Sequence, residues 1–365
     1  MGFAKVERVV AALVGRAALV GGALLSSVAL LPSRASAHHS VSAWFDTTSD
    51  LTELEGEVTQ MRWQNPHVVF TMSVASAGGR TETWEIETLS ISGIQRWGIT
   101  QDLFGVGDQL KVAGNPSRRN SNNLFVRNIL LPGGREIVLG GAARWSEQTL
   151  RASEVLQAQE GDSSRPEIGL FRTWSSGSGG GFLFPEALAA KFDFGRYPLT
   201  ANAKAALAAF DFAADDPTND CSPKGMPTIM EQPYPLEFKD QGARIEVRME
   251  EYDTLRTIHM DAAGVAGERA AAPSLNGYSV GRWDGGTLVV TTTKSSWGHF
   301  DSVGIPLSAA AVMVERFTPS DDGARLDYSL TVTDAATFTA PVEMKKFWIW
   351  RPEIEIERYS CVPVG

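Results

Sequence analysis

The sequence predicts a mainly β protein: an N-terminal OB-like five-stranded barrel, a partly helical connector, and a C-terminal antiparallel β-barrel or curved, lipocalin-like sandwich. Three observations carry this. Residues 53–131 run as three strand-like stretches, a short helix and two more strands, the order of an OB barrel. Residues 226–365 hold about eight stretches of alternating apolar and polar residues, separated by Gly- and Asp-rich turns. No helix–strand alternation of the Rossmann kind occurs, and 365 residues exceed what one core usually holds. The expected division is a leader over 1–37, an OB-like domain over 38–140, a connector over 141–225 and a β domain over 226–365.

The leader has the three parts of a secretory signal. Lys5, Arg8 and Arg16 are basic, residues 17–31 form an uncharged apolar run, and Ala35-Ser36-Ala37 is the small-x-small pattern that a signal peptidase cuts. The apolar run is short for a membrane span. No twin-arginine pair is present, which favours the general secretory route. The expected mature protein is therefore periplasmic or secreted, begins at His38 and has no membrane span. A net charge of −10 without a basic run argues against nucleic acid as a partner. Cys221 and Cys361 are the two cysteines, an even count that suits an exported chain. A bridge between them closes a loop of about 140 residues, worth about 4–5 kcal/mol in the chain-entropy model.

In the first domain, residues 53–63 and 66–76 are rich in β-branched and aromatic residues and are divided by the Gln64-Asn65-Pro66 turn. Gly78-Gly79 makes the next turn, and residues 81–88 alternate with Trp84 and Ile86 on one face. Ser90 is placed to cap a helix over 91–97 that ends at Gly98. Strands over 109–114 and 124–131 complete the set. Trp63, Trp84 and Trp97 are read either as core or as a stacking surface, and the Arg118-Arg119 pair as part of a solvated loop. In the connector, residues 145–158 and 200–210 read as helices, the second capped by Thr200. The Gly-rich stretch 175–181 does not follow a strand and has no Lys-Ser/Thr ending, so it is not a phosphate cradle. In the β domain, strands fall near 228–239, 245–250, 254–261, 278–283, 287–294, 312–318, 326–332 and 345–360. The turns are Gly242, Asp284-Gly285-Gly286 and Asp321-Asp322-Gly323.

Two stretches carry resemblances. Ala37-His38-His39-Ser40, Trp63-Gln64-Asn65-Pro66-His67, Trp84 and Glu85 resemble an uncharacterised family of small exported bacterial proteins, over most of residues 37–140. Members open their mature chains with His-His-Ser and carry a Trp-x-Asn-Pro-His segment. Arg256-Thr257-Ile258-His259-Met260-Asp261, Gly281-Arg282-Trp283-Asp284-Gly285 and Glu315-Arg316-Phe317 resemble a second uncharacterised exported bacterial family, over roughly 186–365. Its members often have further histidines after that loop. Here the region reads Trp297-Gly298-His299 and then Gly304-Ile305-Pro306-Leu307, so part of the cluster is missing. The resemblances imply export and architecture; neither implies an activity.

Three groups of residues are candidates for function. The first is a metal set of His38, His39 and His67: the α-amine and imidazole of a mature His38 form one chelate ring, a second imidazole completes a T-shaped site, and nitrogen ligands suit copper. The alternative is that His67 only hydrogen-bonds within its turn. The second is an acid–base set. His259 and Asp261, two apart, face one side of a strand, and Glu250 lies on the preceding strand. The alternative is a buried network in which Arg256 or Arg282 pairs Glu250, Glu251 or Asp284. The third is a ligand-lining set, Arg256, Trp283, Trp297, His299, Trp348 and Trp350, whose tryptophans are equally suited to core packing. No Gly-x-Ser-x-Gly and no His-Glu-x-x-His occurs. The expected function is binding, of copper at the mature N-terminus or of an apolar small molecule in the second domain. The alternatives are an acid–base enzyme of the lyase, isomerase, cyclase or hydrolase class, or a structural envelope protein.

Overall fold

The computed structural model describes residues 41–361 apart from 77, 96–97, 119, 121, 152–160, 177–196, 217, 219–220 and 302–303. After a short helix α1 (Val41–Trp44), the chain forms β1 (Thr52–Arg62), β2 (Val69–Ala75) and β3 (Thr81–Glu87) as a meander. Helix α2 (Ile91–Gln95) follows, then β4 (Gln109–Pro116) and β5 (Asn123–Leu130). The sheet order β3-β2-β1-β4-β5 is closed by a parallel β3–β5 pairing, so the five strands make an OB-like barrel. Strand β1 pairs β2 on one side and β4 on the other, and Gly56 sits where all three meet. A Cβ there would lie 2.3 Å from the Ser73 carbonyl oxygen, so the close approach needs glycine. Val58, Phe70, Met72, Ile86, Val112, Leu124 and Val126 fill the interior. Helix α2 contributes Ile94 to that core, and the Ser90 hydroxyl accepts from Gly93 N at 3.2 Å, the expected cap.

The stretch expected as a helix over 145–158 is different. Strand β6 (Glu136–Val138) pairs with β5, and β7 (Thr149–Arg151) lies parallel to β6; residues 152–160 are outside the described set. Glu136, which is fully buried, organises the described part of this segment. Its carboxylate accepts from the backbone N–H groups of Arg144, Trp145 and Ser146 at 2.8–3.1 Å and from Asn128 Nδ2 at 2.6 Å. One buried carboxylate thus gathers the backbone donors of three successive residues and fixes the turn that leads into β7. Burial alone would raise the Glu136 carboxyl, but these hydrogen bonds outweigh it and hold the carboxyl below its ordinary value.

The second barrel is closed and has nine strands. Strand β8 (Thr173–Ser176), from the stretch expected as connector, enters between β9 (Leu236–Asp240) and β16 (Val342–Trp350). Strands β10 (Arg244–Met249), β11 (Thr254–His259), β12 (Tyr278–Asp284), β13 (Thr287–Thr293), β14 (Val312–Pro319) and β15 (Arg325–Thr333) make the rest. Every pairing is antiparallel except β11–β12, which the helix at Ala262–Gly267 connects as a crossover. The interior is packed: Trp174, Trp348, Phe238 and Phe317 are among the largest fully buried side chains. Two strands are shorter than expected. Residues 228–231 form a 3-10 turn, because Pro233 and Pro235 cannot donate to a ladder and the strand begins only at Leu236. At the other end the strand stops at Trp350, before Pro352, and Glu353, Glu355 and Glu357 lie exposed on a non-strand tail.

Helix α3 (Ala201–Ala209) forms as expected, with the Thr200 hydroxyl accepting from Ala203 N. No described helix is long and apolar enough to cross a membrane. The C-terminal tail returns to the first barrel. Glu250 and Asp253 carboxylates accept from Glu357 N and Tyr359 N, and the Tyr359 ring packs on Tyr234 and Tyr252 at 5.3 and 4.9 Å. Cys361 bridges the backbone of Asn65 and is disulfide-bonded to Cys221, with Cα atoms 6.0 Å apart.

Candidate functional site

The outer face of the first barrel is unusual because it is covered. Strands β3 and β5 place Glu85 beside Asn123, Ile86 beside Leu124 and Glu87 beside Phe125. Side chains alternate along a strand. Ile86 and Leu124 therefore enter the core, and Glu85, Glu87, Asn123 and Phe125 lie on the outer face. Glu87 and Phe125 are nevertheless buried. The His67 and Phe45 rings lie against Phe125, with centroids 6.4 and 5.4 Å away. His67 leaves the Asn65-Pro66 turn, whose peptide is cis, and its Nδ1 makes a close contact with Glu87 Oε1; the two side chains are only 7% and 3% exposed. Glu85 takes Arg62 at 2.7 Å and Asn123 at 2.9 Å. Burial pushes the Glu85 carboxyl above its ordinary value, Arg62 pulls it back, and Glu87 adds to the rise.

Carboxylates placed beside histidines in this way recur behind metal-binding imidazoles, where they orient the ring. Of the expected metal set, His67 is seen in this arrangement, and His38 and His39 lie outside the described residues. Among the described residues no group of three or more His, Cys, Asp or Glu is gathered as a metal site. The tryptophans offered as a stacking surface, Trp63 and Trp84, are half-buried and pack against the first core, and Trp97 lies outside the described residues.

The acid–base set is not assembled. On β11 the buried positions are Thr254, Arg256 and Ile258, so Leu255, Thr257 and His259 face outward. His259 pairs in the backbone with Arg244, and its ring stacks on Tyr278 at 4.5 Å. Asp261 caps the helix at Ala262–Gly267 by accepting from Gly264 N at 2.7 Å. Glu250 follows Met249, whose partner is Thr254, at the opposite end of the ladder from His259. Five residues of strand put about 17 Å between the two ends.

Arg256 does face inward, and its partner is Glu315, not Glu250, Glu251 or Asp284. Nη1 donates to Glu315 Oε1 at 2.9 Å, and Nη2 meets Oε2 in a closer contact. Ser279 and Thr292 hydroxyls complete the guanidinium's shell at 2.8–3.1 Å, and Tyr328 donates to Glu315 Oε1 at 2.9 Å. Burial would lower the Arg256 pKa, but Glu315 outweighs it and raises it; burial together with Glu315 pushes the Tyr328 phenol well above its ordinary value. A second buried group lies nearer the tail. Lys224 pairs Glu251 at 2.9 Å, and Lys346 Nζ donates to the carbonyls of Met230, Glu231 and Gln232.

The other lining candidates scatter. Trp348 is buried against Tyr328 at 5.3 Å, and the Arg172 guanidinium lies 4.1 Å from the Trp350 ring centroid. Trp297 donates to the Thr228 hydroxyl at 2.7 Å and packs beside His299, which also meets Phe210. Burial pulls His299 below its ordinary value, although Asp216 and Asp215 act the other way. Trp283 is 45% exposed and touches Phe171. Sequence reasoning named Glu315 only within a resemblance, without its partner, and missed Lys346 and Glu87. The first two were readable: Met313, Glu315 and Phe317 share one face of a strand, as do Met344, Lys346 and Trp348. Nothing in the sequence pairs His67 with Glu87.

Residues 25–125 match the model of an uncharacterised family, described as Family of unknown function (DUF6152). The match takes in His38, His39, His67, Glu87 and most of the first barrel. No curated protein matches the chain.

Proposed function

We propose that the chain is an exported metal-binding protein, processed after Ala37, in which a mature His38 supplies an α-amine and an imidazole and His67 supplies the ligand fixed to the barrel. Copper is the ion this nitrogen set suits. The observation that carries the reading is the close, buried approach of the Glu87 carboxylate to the His67 ring. Chain length permits the rest. His38 is three residues before Val41, where α1 begins, a span of at most about 11 Å, and Phe45, which follows α1, touches Phe125 as His67 does. The second barrel supports this reading as a scaffold. Its interior is filled by side chains, and its tail is joined to Asn65, two residues from His67. That packing speaks for a structural role of the tryptophans over an apolar ligand cavity, and the separation of His259 from Glu250 speaks against an acid–base enzyme.

The test is copper affinity of the mature protein with Glu87→Gln. Loss of the orienting carboxylate is expected to weaken binding by about 10–100-fold. Unchanged affinity in a folded Gln variant counts against the reading.

A further inference from the structure

The same outer face carries a guanidinium that, among the described residues, has no countercharge. Strands β4 and β5 pair Ala113 with Asn128 and Gly114 with Val126, so Arg127 is the extra residue of a bulge. Bulges re-aim side chains and gather near functional sites. Arg127 Nε donates to Asn115 Oδ1 at 2.7 Å, and Asn115 is itself buried and fixed by donating Nδ2 to the Asp46 carbonyl at 3.0 Å. The guanidinium lies 5.5 Å from the Phe125 ring centroid and packs on Gly140, where a Cβ would come within 3.1 Å of Nη1.

Three other arginines of this barrel are matched to acids, Arg62 to Glu85, Arg118 to Asp46 and Arg144 to Glu53, whereas for the exposed Arg80 and Arg135 no such pair is seen among the described residues. Among the described residues Arg127 has no carboxylate partner, and its Nη1 and Nη2 donate no hydrogen bond. Burial pulls its pKa below the usual arginine value, yet a guanidinium stays protonated, so a fixed positive charge is held partly out of water. Gly140 also lines a groove of about 360 Å³ with Leu51, Asn128 and Arg144, in which Arg144 is neutralised by Glu53. A groove of that size accepts the body of a small ligand.

We propose that Arg127 anchors a binding site for a small oxyanion, a carboxylate or phosphate group, on the outer face of the first barrel. The two terminal nitrogens form the fork that such groups accept in bidentate fashion. Asn115 and Gly140 set its position, and the groove beyond Gly140 takes the remainder of the ligand. The site does not depend on metal binding at His67, although both residues touch the Phe125 ring.

The experiment titrates mature protein with inorganic phosphate in one arm and with acetate and succinate in the other, at constant ionic strength. The readouts are calorimetry and the arginine side-chain resonances. The expected result is saturable one-to-one binding in at least one arm, with Arg127 resonances shifted. Arg127→Lys keeps the charge and loses the fork, and is expected to weaken binding about tenfold or more, as is Arg127→Gln. Arg325→Gln, an exposed arginine of the second barrel, is expected to change nothing. Saturation by phosphate alone or by carboxylates alone identifies the ligand class. No saturation in either arm overturns the proposal, as does binding that survives Arg127→Lys in a protein with wild-type circular dichroism. The Lys variant decides the matter if the Gln variant does not fold.

Discussion

Replacing Glu315 with glutamine tests the account of the second barrel's interior. Arg256 is 2% exposed and Glu315 0% exposed, and the guanidinium's other partners are two neutral hydroxyls, Ser279 and Thr292. Removing one member of a buried pair leaves the other charge out of water without compensation, at a cost of about 3–5 kcal/mol. A glutamine amide can still accept one hydrogen bond from Arg256, so Glu315→Gln is expected near the lower figure and Glu315→Ala near the upper. Tyr328 adds to the loss, because its hydroxyl exchanges a charged acceptor for a neutral one. With a urea m-value of about 1–3 kcal/mol/M, a loss of about 3 kcal/mol lowers the midpoint by about 1–3 M. The assay is urea unfolding at pH 7 of the oxidised protein, followed by tryptophan fluorescence and circular dichroism. The double variant Arg256→Met, Glu315→Leu removes both charges and is expected to be far less destabilised than either single change. A Glu315→Gln protein within about 1 kcal/mol of wild type, well below that penalty, would refute the reasoning.

Four further outcomes are expected. The Glu136 carboxyl is held below its ordinary value of 4.5, so the stability it contributes is complete above that value and is lost as pH falls through its lower folded value. Glu136→Gln should therefore be less stable than wild type at pH 7 and show a shallower loss in acid unfolding; an unchanged acid slope contradicts this. Cys361→Ser opens a loop of 140 residues and is expected to cost up to about 4–5 kcal/mol in thermal unfolding, with faster hydrogen exchange in residues 351–361. Gly56→Ala drives a Cβ to within 2.3 Å of the Ser73 carbonyl, so a clear drop in melting temperature is expected, larger than for alanine at the open turn glycine Gly286. Ser90→Ala removes the cap of α2 and should cost about 1 kcal/mol.

The architecture was legible where periodicity and turn chemistry agree. Alternation along Arg244–Met249 and Arg325–Thr333, and the two-residue Gly285-Gly286 loop joining β12 to β13, gave strands at the right places. The ninth strand was not legible, because Thr173–Ser176 is short and abuts a Gly- and Ser-rich stretch that reads as a loop. Of the helix expected at 145–158, the described part up to Arg151 is turn and strand, with β7 paired to β6, a long-range pairing that local periodicity does not report; residues 152–158 lie outside the described residues. The acid–base set failed because strand alternation gives two faces without saying which is inside. Arg256 and Ile258 take the inside, and His259 is turned out with Leu255. For the metal set, His67 was readable as a candidate from its turn, but the carboxylate behind it was not. Glu87 reaches it only through the β2–β3 hairpin and the β3–β5 closure.

The measurement closest to the central claim is intact-mass spectrometry with metal analysis on protein exported by its own leader, repeated with His67→Ala. The account predicts a chain beginning at His38 that holds about one equivalent of copper, with nitrogen hyperfine structure in its electron paramagnetic resonance spectrum, and loss of that copper in the folded Ala variant. A chain that begins elsewhere, that takes up no copper when it is offered, or that binds copper equally well without the His67 imidazole contradicts it.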